Sequence, residues 1–70
     1  MQTQEQHIEY IKLPEVKTIT GMGTTFIYSK AKSGKFPRQV KLGSRSVGWI
    51  KSEVLQWNQE QAQASRAQQD

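Results

Sequence analysis

The sequence predicts an α+β fold, a small winged helix-turn-helix with three helices and a β-hairpin wing, from three observations. Two short helical patterns, at 14–20 and 24–33, are separated by glycines, which is the layout of a helix-turn-helix. Two alternating apolar segments, 40–42 and 47–49, enclose the turn-forming sequence 43–46 and predict a β-hairpin. A third helical pattern follows the hairpin.

The first predicted helix has one apolar side and a glycine at its end. Its apolar residues recur at three-residue spacing and therefore share one face: Leu13, Val16 and Ile19. Pro14 suits the first turn, because a backbone N–H has no intrahelical partner there. Gly21 is predicted to end the helix in the left-handed conformation, and residues 10–13 are predicted to form a short strand before it.

The second predicted helix lies between two glycines. Gly23 is a tolerable N-cap, and Gly34 is predicted to end the helix. Ile27 and Ala31 are four residues apart and are predicted to face the core together. The pair Phe36–Pro37 then favours an extended backbone, and its phenyl ring is large enough to fill the gap between helix and sheet.

The outward side of that helix carries small hydroxyls, aromatic rings and lysines. Because successive residues rotate by about 100°, an inward Ile27 leaves three residues on the far side: Thr25, Ser29 and Lys32. The flanks carry Thr24 and Tyr28 on one side, and Phe26 and Lys30 on the other. We expect Tyr28 to shield the edge of the core, to offer its hydroxyl to a phosphate, or to place its ring edge against a thymine methyl group. Phe26 is predicted to be a packing residue and not a wedge between bases.

The hairpin is predicted to have an apolar face made of four residues: Val40, Leu42, Val47 and Trp49. Lys41 then points away from the core, and Arg45 lies at the tip of the wing. In the third helix, Val54 and Trp57 mark the buried face. Both tryptophans are predicted to be core residues, since both lie on apolar faces.

Composition divides the chain into three segments. Residues 1–9 are rich in Gln and Glu and are predicted to form a flexible N-terminal arm. Residues 10–58 are the predicted winged helix-turn-helix domain. Residues 59–70 are a Gln/Ala-rich C-terminal extension with too few large apolar side chains to pack. We expect this extension to be helical for a turn or two and then to fray.

Charge is more segregated along the chain than the formal net charge of +4 suggests. Nine basic residues lie between positions 12 and 51, against Glu15 alone: Lys12, Lys17, Lys30, Lys32, Lys35, Arg38, Lys41, Arg45 and Lys51. The flanking segments are acidic on balance. A basic centre between acidic ends indicates a polyanionic partner, although a solvated lysine surface that keeps a small domain soluble has the same composition.

The sequence lacks the residue patterns of catalysis and metal binding. With no cysteine and one histidine, His7, it offers no thiol nucleophile and no ordinary zinc site. Its carboxylates are scattered, so no general acid–base pair is indicated. Gly21 and Gly23 begin like a dinucleotide motif, but Phe26 stands where the third glycine is needed. Gly34–Lys35 is followed by phenylalanine where a phosphate loop needs serine or threonine. We therefore predict no enzymatic activity, no cofactor and no small-molecule substrate.

The sequence also lacks the features of a membrane protein. No apolar run approaches the roughly 20 residues of a membrane span. Residues 1–7 are polar, unlike a signal peptide. Together with the absence of cysteine, these features predict a cytoplasmic protein without a membrane partner, and binding to DNA would make it nucleoid-associated.

Between residues 10 and 57 the chain carries an ordered series of short motifs. They are Ile11-Lys12-Leu13-Pro14-Glu15-Val16, Gly21, Ile27-Tyr28, Gly34-Lys35-Phe36-Pro37, Val40-Lys41-Leu42-Gly43, Arg45-Ser46-Val47-Gly48-Trp49, Ser52-Glu53-Val54 and Trp57. In this order the motifs resemble the AlpA-like family of phage and prophage regulators, close relatives of phage excisionases, over about two-thirds of the chain.

The resemblance implies an excisionase/MerR-like DNA-binding domain. Relatives of this kind act as excisionases, which are recombination directionality factors that bend DNA and recruit an integrase (a tyrosine recombinase), or as transcription regulators. Two positions depart from the family pattern. Gly23 replaces a serine at the start of the second helix, and Ser29 replaces an arginine after the tyrosine.

Ten residues are the predicted contacts with double-stranded DNA, with helix 24–33 in the major groove and the 43–46 wing on the backbone or in the minor groove. Small hydroxyl side chains let a helix approach base edges, and basic side chains neutralise phosphates. The predicted contacts are Thr24, Thr25, Tyr28, Ser29, Lys30, Lys32, Lys35, Lys41, Arg45 and Ser46.

The sequence thus predicts a non-enzymatic DNA-binding protein of phage or mobile-element origin, acting in excision, in transcription regulation or in both. The alternative is a protein-interaction module that docks on an integrase or a regulator without contacting DNA, with residues 59–70 as the contact element. A monomer of this size covers only a short site, so we also expect cooperative self-association on repeated sites.

Overall fold

A computed structural model of the chain describes residues 7–69. It contains β1 (Tyr10–Ile11), α1 (Leu13–Thr20), α2 (Thr24–Lys32), β2 (Val40–Lys41), β3 (Val47–Ile50) and α3 (Lys51–Gln69). The strands form an antiparallel sheet in the order β1-β3-β2. The predicted α+β class and winged helix-turn-helix layout are confirmed. Most of the predicted flexible arm, residues 1–6, lies outside the described residues, as does residue 70 of the extension.

The first helix has the predicted start and stop features. α1 begins at Leu13, one residue before the predicted start, with Pro14 in its first turn. Gly21 follows the helix with a φ of 73°, and its N–H donates to the carbonyl of Lys17 at 2.7 Å. A residue with a Cβ adopts this left-handed conformation only at a steric cost. The prediction that Gly21 ends α1 is therefore confirmed.

A buried hydroxyl stabilises the turn between the two helices. Thr20 donates its hydroxyl hydrogen to the carbonyl of Val16 at 2.8 Å and accepts the N–H of Met22 at 3.2 Å. Gly23 is then the N-cap of α2, with an extended backbone and no side chain to cap the helix. The sequence did not single out Thr20, because its role depends on the backbone path of the turn that follows it.

The second helix ends at Lys32, one residue before the end of the predicted range 24–33. Gly34 has a φ of 82°, and the N–H of Lys35 donates to the carbonyl of Lys30 at 2.8 Å. This six-residue closure around a left-handed glycine is a Schellman motif, which satisfies a carbonyl that the helix end would otherwise leave unpaired.

One small core joins the helices to the sheet. Its buried hydrophobic residues are Ile11, Val16, Ile27, Ala31, Phe36, Trp49 and Val54. Trp49 is a core residue, as predicted, and is fully buried on the central strand. Trp57 lies at the edge of the core, where it meets the ring of Phe36 edge-on at 4.7 Å between centroids. Its indole N–H donates to the carbonyl of Lys35 at 2.8 Å.

The predicted apolar face of the hairpin is wrong for two of its four residues. Val40 pairs with Gly48, and Lys41 pairs with Val47. Directly paired residues share one face of a sheet, so Val40 lies on the face opposite Trp49. The side chain of Leu42, the second exception, covers Gly48 on that same face and is 40% exposed. Lys41, predicted to point away from the core, lies instead on the same face as Val47 and Trp49 and is exposed there.

The turn of the hairpin explains this shift. The N–H groups of Leu42 and Gly43 both donate to the carbonyl of Ser46, at 2.7 and 3.2 Å. Two residues on one strand then face one residue on the other, as in a β-bulge. A one-residue shift moves every following side chain to the opposite face, and the apolar pattern alone did not reveal it.

The third helix continues directly from β3. The N–H of Lys51 donates to the carbonyl of Glu9 at 2.8 Å, and the Asn58 side-chain amide donates to the carbonyl of Ile19 at 3.1 Å. After Asn58, every side chain through residue 67 is exposed. The helix nevertheless continues to Gln69, beyond the turn or two that the sequence predicted, and its many Gln and Ala residues are good helix formers.

We predict that Gly48→Ala destabilises the protein by about 1–3 kcal/mol, because the inserted methyl group would press against a backbone carbonyl oxygen and displace a leucine side chain. A Cβ at Gly48 would lie 2.8 Å from Cδ1 of Leu42 and 3.0 Å from the carbonyl oxygen of Ile11. Urea unfolding measures the change. In the control Gly43→Ala, the nearest atom to the new Cβ is 3.8 Å away. Equal stability of the two variants would contradict the described hairpin packing.

We predict that deleting residues 59–70 changes the melting temperature by less than about 4 °C, since no described side chain of that segment is buried. The variant Asn58→Ala removes the hydrogen bond to Ile19 and should cost about 1 kcal/mol. Thermal unfolding followed by circular dichroism compares the two. A truncated protein that no longer unfolds cooperatively would show that the domain extends beyond residue 58.

Candidate nucleic-acid interface

The ten predicted contact residues occupy three parts of the surface. Six lie on α2, Lys35 lies in the loop after it, and three lie on β2 and the turn that follows. Eight of them are exposed, whereas Lys30 and Ser46 are half-buried. The fold therefore leaves this set available to a partner, on a helix and a turn anchored to the same core.

Burial fixes the orientation of α2. Ile27 and Ala31 are buried, as predicted, so the side chains on the other side of the helix point to solvent. Thr25, Ser29 and Lys32 are all exposed. The helix contains no acidic residue, and its N-terminal half presents only small hydroxyls and Phe26 on the exposed side.

The structure corrects the predicted packing role of Phe26. Its side chain is 37% exposed, because Ile27 and Ala31 already occupy the core side of the helix. Nζ of Lys30, one turn later, lies 5.4 Å from the centroid of the phenyl ring. A cation over an aromatic face is a favourable contact that also limits the positions of the lysine side chain. Phe26 therefore belongs to the outer surface of α2.

Tyr28 has the first of the roles that the sequence left open, shielding the edge of the core, and contact with a phosphate stays a prediction. Its ring meets the ring of Trp49 edge-on, with 5.7 Å between centroids and 64° between planes, so it covers the edge of the core. The side chain remains 37% exposed, so it is also open to a partner.

A cleft separates α2 from the loop that leads into β2. It has a volume of about 410 Å³, and its lining residues are Tyr28, Ala31, Lys32, Arg38 and Gln39. We call it the α2 cleft. The indole N–H of Trp49 donates to the carbonyl of Pro37 at 3.1 Å and so fixes the loop beside the helix.

The sequence prediction did not place Arg38 and Gln39 beside α2, where they line the cleft. Arg38 counted only toward the total charge, because no local pattern relates it to a helix that ends six positions earlier. Its place opposite Lys32 depends on the chain reversal after Gly34 and on the Trp49–Pro37 hydrogen bond. The one available indication was its basic side chain directly after the Phe36–Pro37 pair.

Lys35 lies apart from the α2 cleft. It borders a second groove, whose lining includes Trp57 and two carboxylate residues of α3, Glu53 and Glu60. The structure therefore does not group Lys35 with Lys32, although only two residues separate them in the sequence.

The wing, residues 43–46, is joined to the first strand segment through a lysine. Nζ of Lys12 donates to the Ser46 hydroxyl at 2.6 Å. Arg45 is exposed at the turn, and Lys41 is exposed on the edge strand β2. The structure thus adds Lys12, which the sequence assigned to the ordinary surface, to the basic residues of the wing.

The basic groups of α2 and the wing have no acidic partner among the described residues. Between residues 7 and 69, the one ion pair within 4 Å joins Nζ of Lys51 to Glu9, at 3.8 Å. Arg38, Arg45 and the lysines of α2 consequently keep their charge available to an anion.

The same part of the chain carries neither a metal-binding cluster nor a membrane-spanning helix. Residues 7–69 contain no group of three or more His, Cys, Asp or Glu side chains that could hold a metal ion. None of the helices described there is long and apolar enough to cross a membrane.

Comparisons with known proteins identify the family of the chain. The family model described as prophage CP4-57 regulatory protein (AlpA) matches residues 9–62. The chain is 36% identical over 56 residues to the DNA-binding transcriptional activator AlpA of Escherichia coli (strain K12), covering 71% of this chain and 80% of that protein. It is 40% identical over 55 residues to the uncharacterized protein ORF88 of Enterobacteria phage P4, covering 79% of this chain but only 59% of that protein.

No solved structure matches the chain. The family match nevertheless takes in all the strands, α1, α2 and the packed part of α3. The chain therefore belongs to the AlpA family of prophage regulatory proteins.

Proposed function

We propose that the protein is a non-enzymatic regulator that binds double-stranded DNA through α2 and the wing. The observation that carries this proposal is the exposed side of α2, which joins small hydroxyls to unpaired lysines and has no carboxylate. The relative from Escherichia coli is described as a DNA-binding transcriptional activator, which supports the same function here.

In the proposed complex, α2 lies in the major groove. Thr24, Thr25 and Ser29 are small enough to let the helix backbone approach the base edges, and their hydroxyls can donate or accept there. Phe26 can contact a thymine methyl group from the same surface. Lys30 has its ammonium group beside that ring, from which it can reach a phosphate.

The wing supplies a second contact in the proposed complex. Arg45 can bind a phosphate or enter the minor groove, because the negative potential of a narrow minor groove attracts an arginine side chain. Lys12 and Lys41 can neutralise neighbouring phosphates. Ser46 acts chiefly within the protein, because its hydroxyl accepts from Lys12 and its carbonyl accepts two backbone N–H groups of the turn.

The regulatory outcome depends on what the bound protein recruits. The name of the Escherichia coli relative favours transcription regulation, and the resemblance to excisionases favours assembly with an integrase. Cooperative binding of several copies to repeated sites serves either outcome, because a single α2 and wing cover only a short DNA segment.

The second candidate function is docking on a protein partner, and α3 favours it. Its segment after Asn58 projects beyond the core with every described side chain exposed, which suits a contact with an integrase or a regulator. Deleting residues 59–70 separates the two functions. If the truncated protein still binds DNA but no longer binds the protein partner, the extension is the contact with that partner.

We predict that the wild-type protein binds duplex DNA with a strong dependence on salt. If about five phosphates are neutralised, log affinity should fall against log salt concentration with a slope of about −4 to −5. Arg45→Ala should reduce the slope by about 1, because the variant neutralises one phosphate fewer. Fluorescence anisotropy with a labelled duplex measures both values.

Arg66→Ala is the matched control, since Arg66 lies in the last turn of α3, far along the chain from the wing. Its slope should equal that of the wild type. A wild-type slope near zero would refute DNA binding as the function.

We predict that Thr25→Val and Ser29→Ala weaken binding to a preferred DNA sequence more than binding to random DNA. Both changes remove a hydroxyl that can hydrogen-bond to base edges and leave the charge unchanged. Removing one such hydrogen bond to a base should reduce discrimination between the two duplexes by about 0.5–1.5 kcal/mol. Lys30→Gln should weaken binding to both duplexes about equally.

The preferred duplex is obtained by selecting a randomised library on the wild-type protein. Competition titrations then compare it with a random duplex of the same length. If Thr25→Val and Ser29→Ala weaken binding to the preferred and the random duplex equally, α2 does not recognise bases.

A further inference from the structure

The polar residues that line the α2 cleft share one chemical property. Tyr28, Lys32, Arg38 and Gln39 each carry a side chain that can donate a hydrogen bond, and two of them are cationic. No carboxylate lines the cleft, and neither cation has an ion-pair partner among residues 7–69. Such a lining fits an anion with several acceptor oxygens.

Both walls of the cleft are positioned by Trp49. Tyr28 on the helix wall packs edge-on against the Trp49 ring. On the other wall, the carbonyl of Pro37 accepts the indole N–H of Trp49 one residue before Arg38. Because Trp49 is fully buried, the two walls have a fixed separation, and the cleft exists before any ligand binds.

The position of the cleft indicates where its anion comes from. The cleft lies between α2, the helix that we place in the major groove, and the loop that leads into the hairpin whose turn is the wing. A helix in the major groove and a wing on the adjacent minor groove must lie on either side of one DNA strand. In that arrangement the backbone of the strand would run between them, past the cleft.

We propose that the α2 cleft is a binding site for one backbone phosphate of the DNA strand between the two grooves, with Arg38 as its principal ligand. This inference rests on the proposed function. The guanidinium of Arg38 can give two parallel hydrogen bonds to phosphate oxygens, and Lys32 adds a second positive charge from the opposite wall. Tyr28 contributes a hydroxyl, and Gln39 contributes an amide.

The site defines the register of the protein on DNA. A phosphate fixed between α2 and the loop determines how far the helix enters the groove, without selecting a base. Arg38 therefore sets this register through direct contact with the phosphate, and its removal weakens binding to preferred and random duplexes alike.

The test measures affinity for a random duplex by fluorescence anisotropy at several salt concentrations. It compares the wild type with Arg38→Gln, Lys32→Gln and the double variant. Arg38→Gln should lower affinity roughly tenfold, as expected when a charged hydrogen bond is removed. The double variant should reduce the slope of log affinity against log salt by about 1, because one phosphate is no longer neutralised. Tyr28→Phe retains the packing on Trp49 and should weaken binding without changing the slope.

Arg66→Gln is the matched control and should bind like the wild type, while circular dichroism melting verifies that each variant is folded. If the wild type binds with the expected salt dependence but Arg38→Gln leaves affinity and slope unchanged, the phosphate site is refuted and DNA binding stands. If the double variant reduces the slope of log affinity against log salt by about 2, Lys32 and Arg38 contact two different phosphates, and the proposal of one shared phosphate is wrong. Absence of salt-dependent binding by the wild type refutes the proposed function itself.

Discussion

The structure depends most on the burial of Trp49 on the central strand. The strand β3 pairs with β1 on one side and β2 on the other, so its one large aromatic side chain faces α2 from the middle of the sheet. Its ring packs against Tyr28, and its N–H binds the carbonyl of Pro37. A helix, a loop and a sheet are thereby joined through a single side chain that is completely removed from water.

This constraint matters because the domain is small. A chain of about this length buries only about 60% of the surface that its unfolded form exposes, and seven hydrophobic residues make up the buried core within residues 7–67. With so small a core, the arrangement of the helices depends on specific polar links as well as on apolar packing. The Thr20 hydroxyl in the helix turn and the Asn58 amide on α3 supply two such links.

The features that the sequence predicted correctly depend on neighbours in the chain. Glycines with positive φ end α1 and precede the loop after α2, and three- and four-residue spacings identify the buried faces of both helices. The features it missed depend on distant residues. The hairpin register follows from two N–H groups that share the Ser46 carbonyl, and the outward position of Phe26 follows from a core already filled by Ile27 and Ala31.

The candidate site shows the same division. Six of its predicted residues follow from the geometry of one helix, whereas the α2 cleft joins Lys32 to Arg38 across a chain reversal that no local pattern specifies. Amide chemical-shift mapping on addition of duplex DNA tests this arrangement most directly. Changes should concentrate on residues 24–32, on 38–39 and on 43–46, and be small beyond residue 59. Changes concentrated on α3, with α2 and the cleft unaffected, would contradict it.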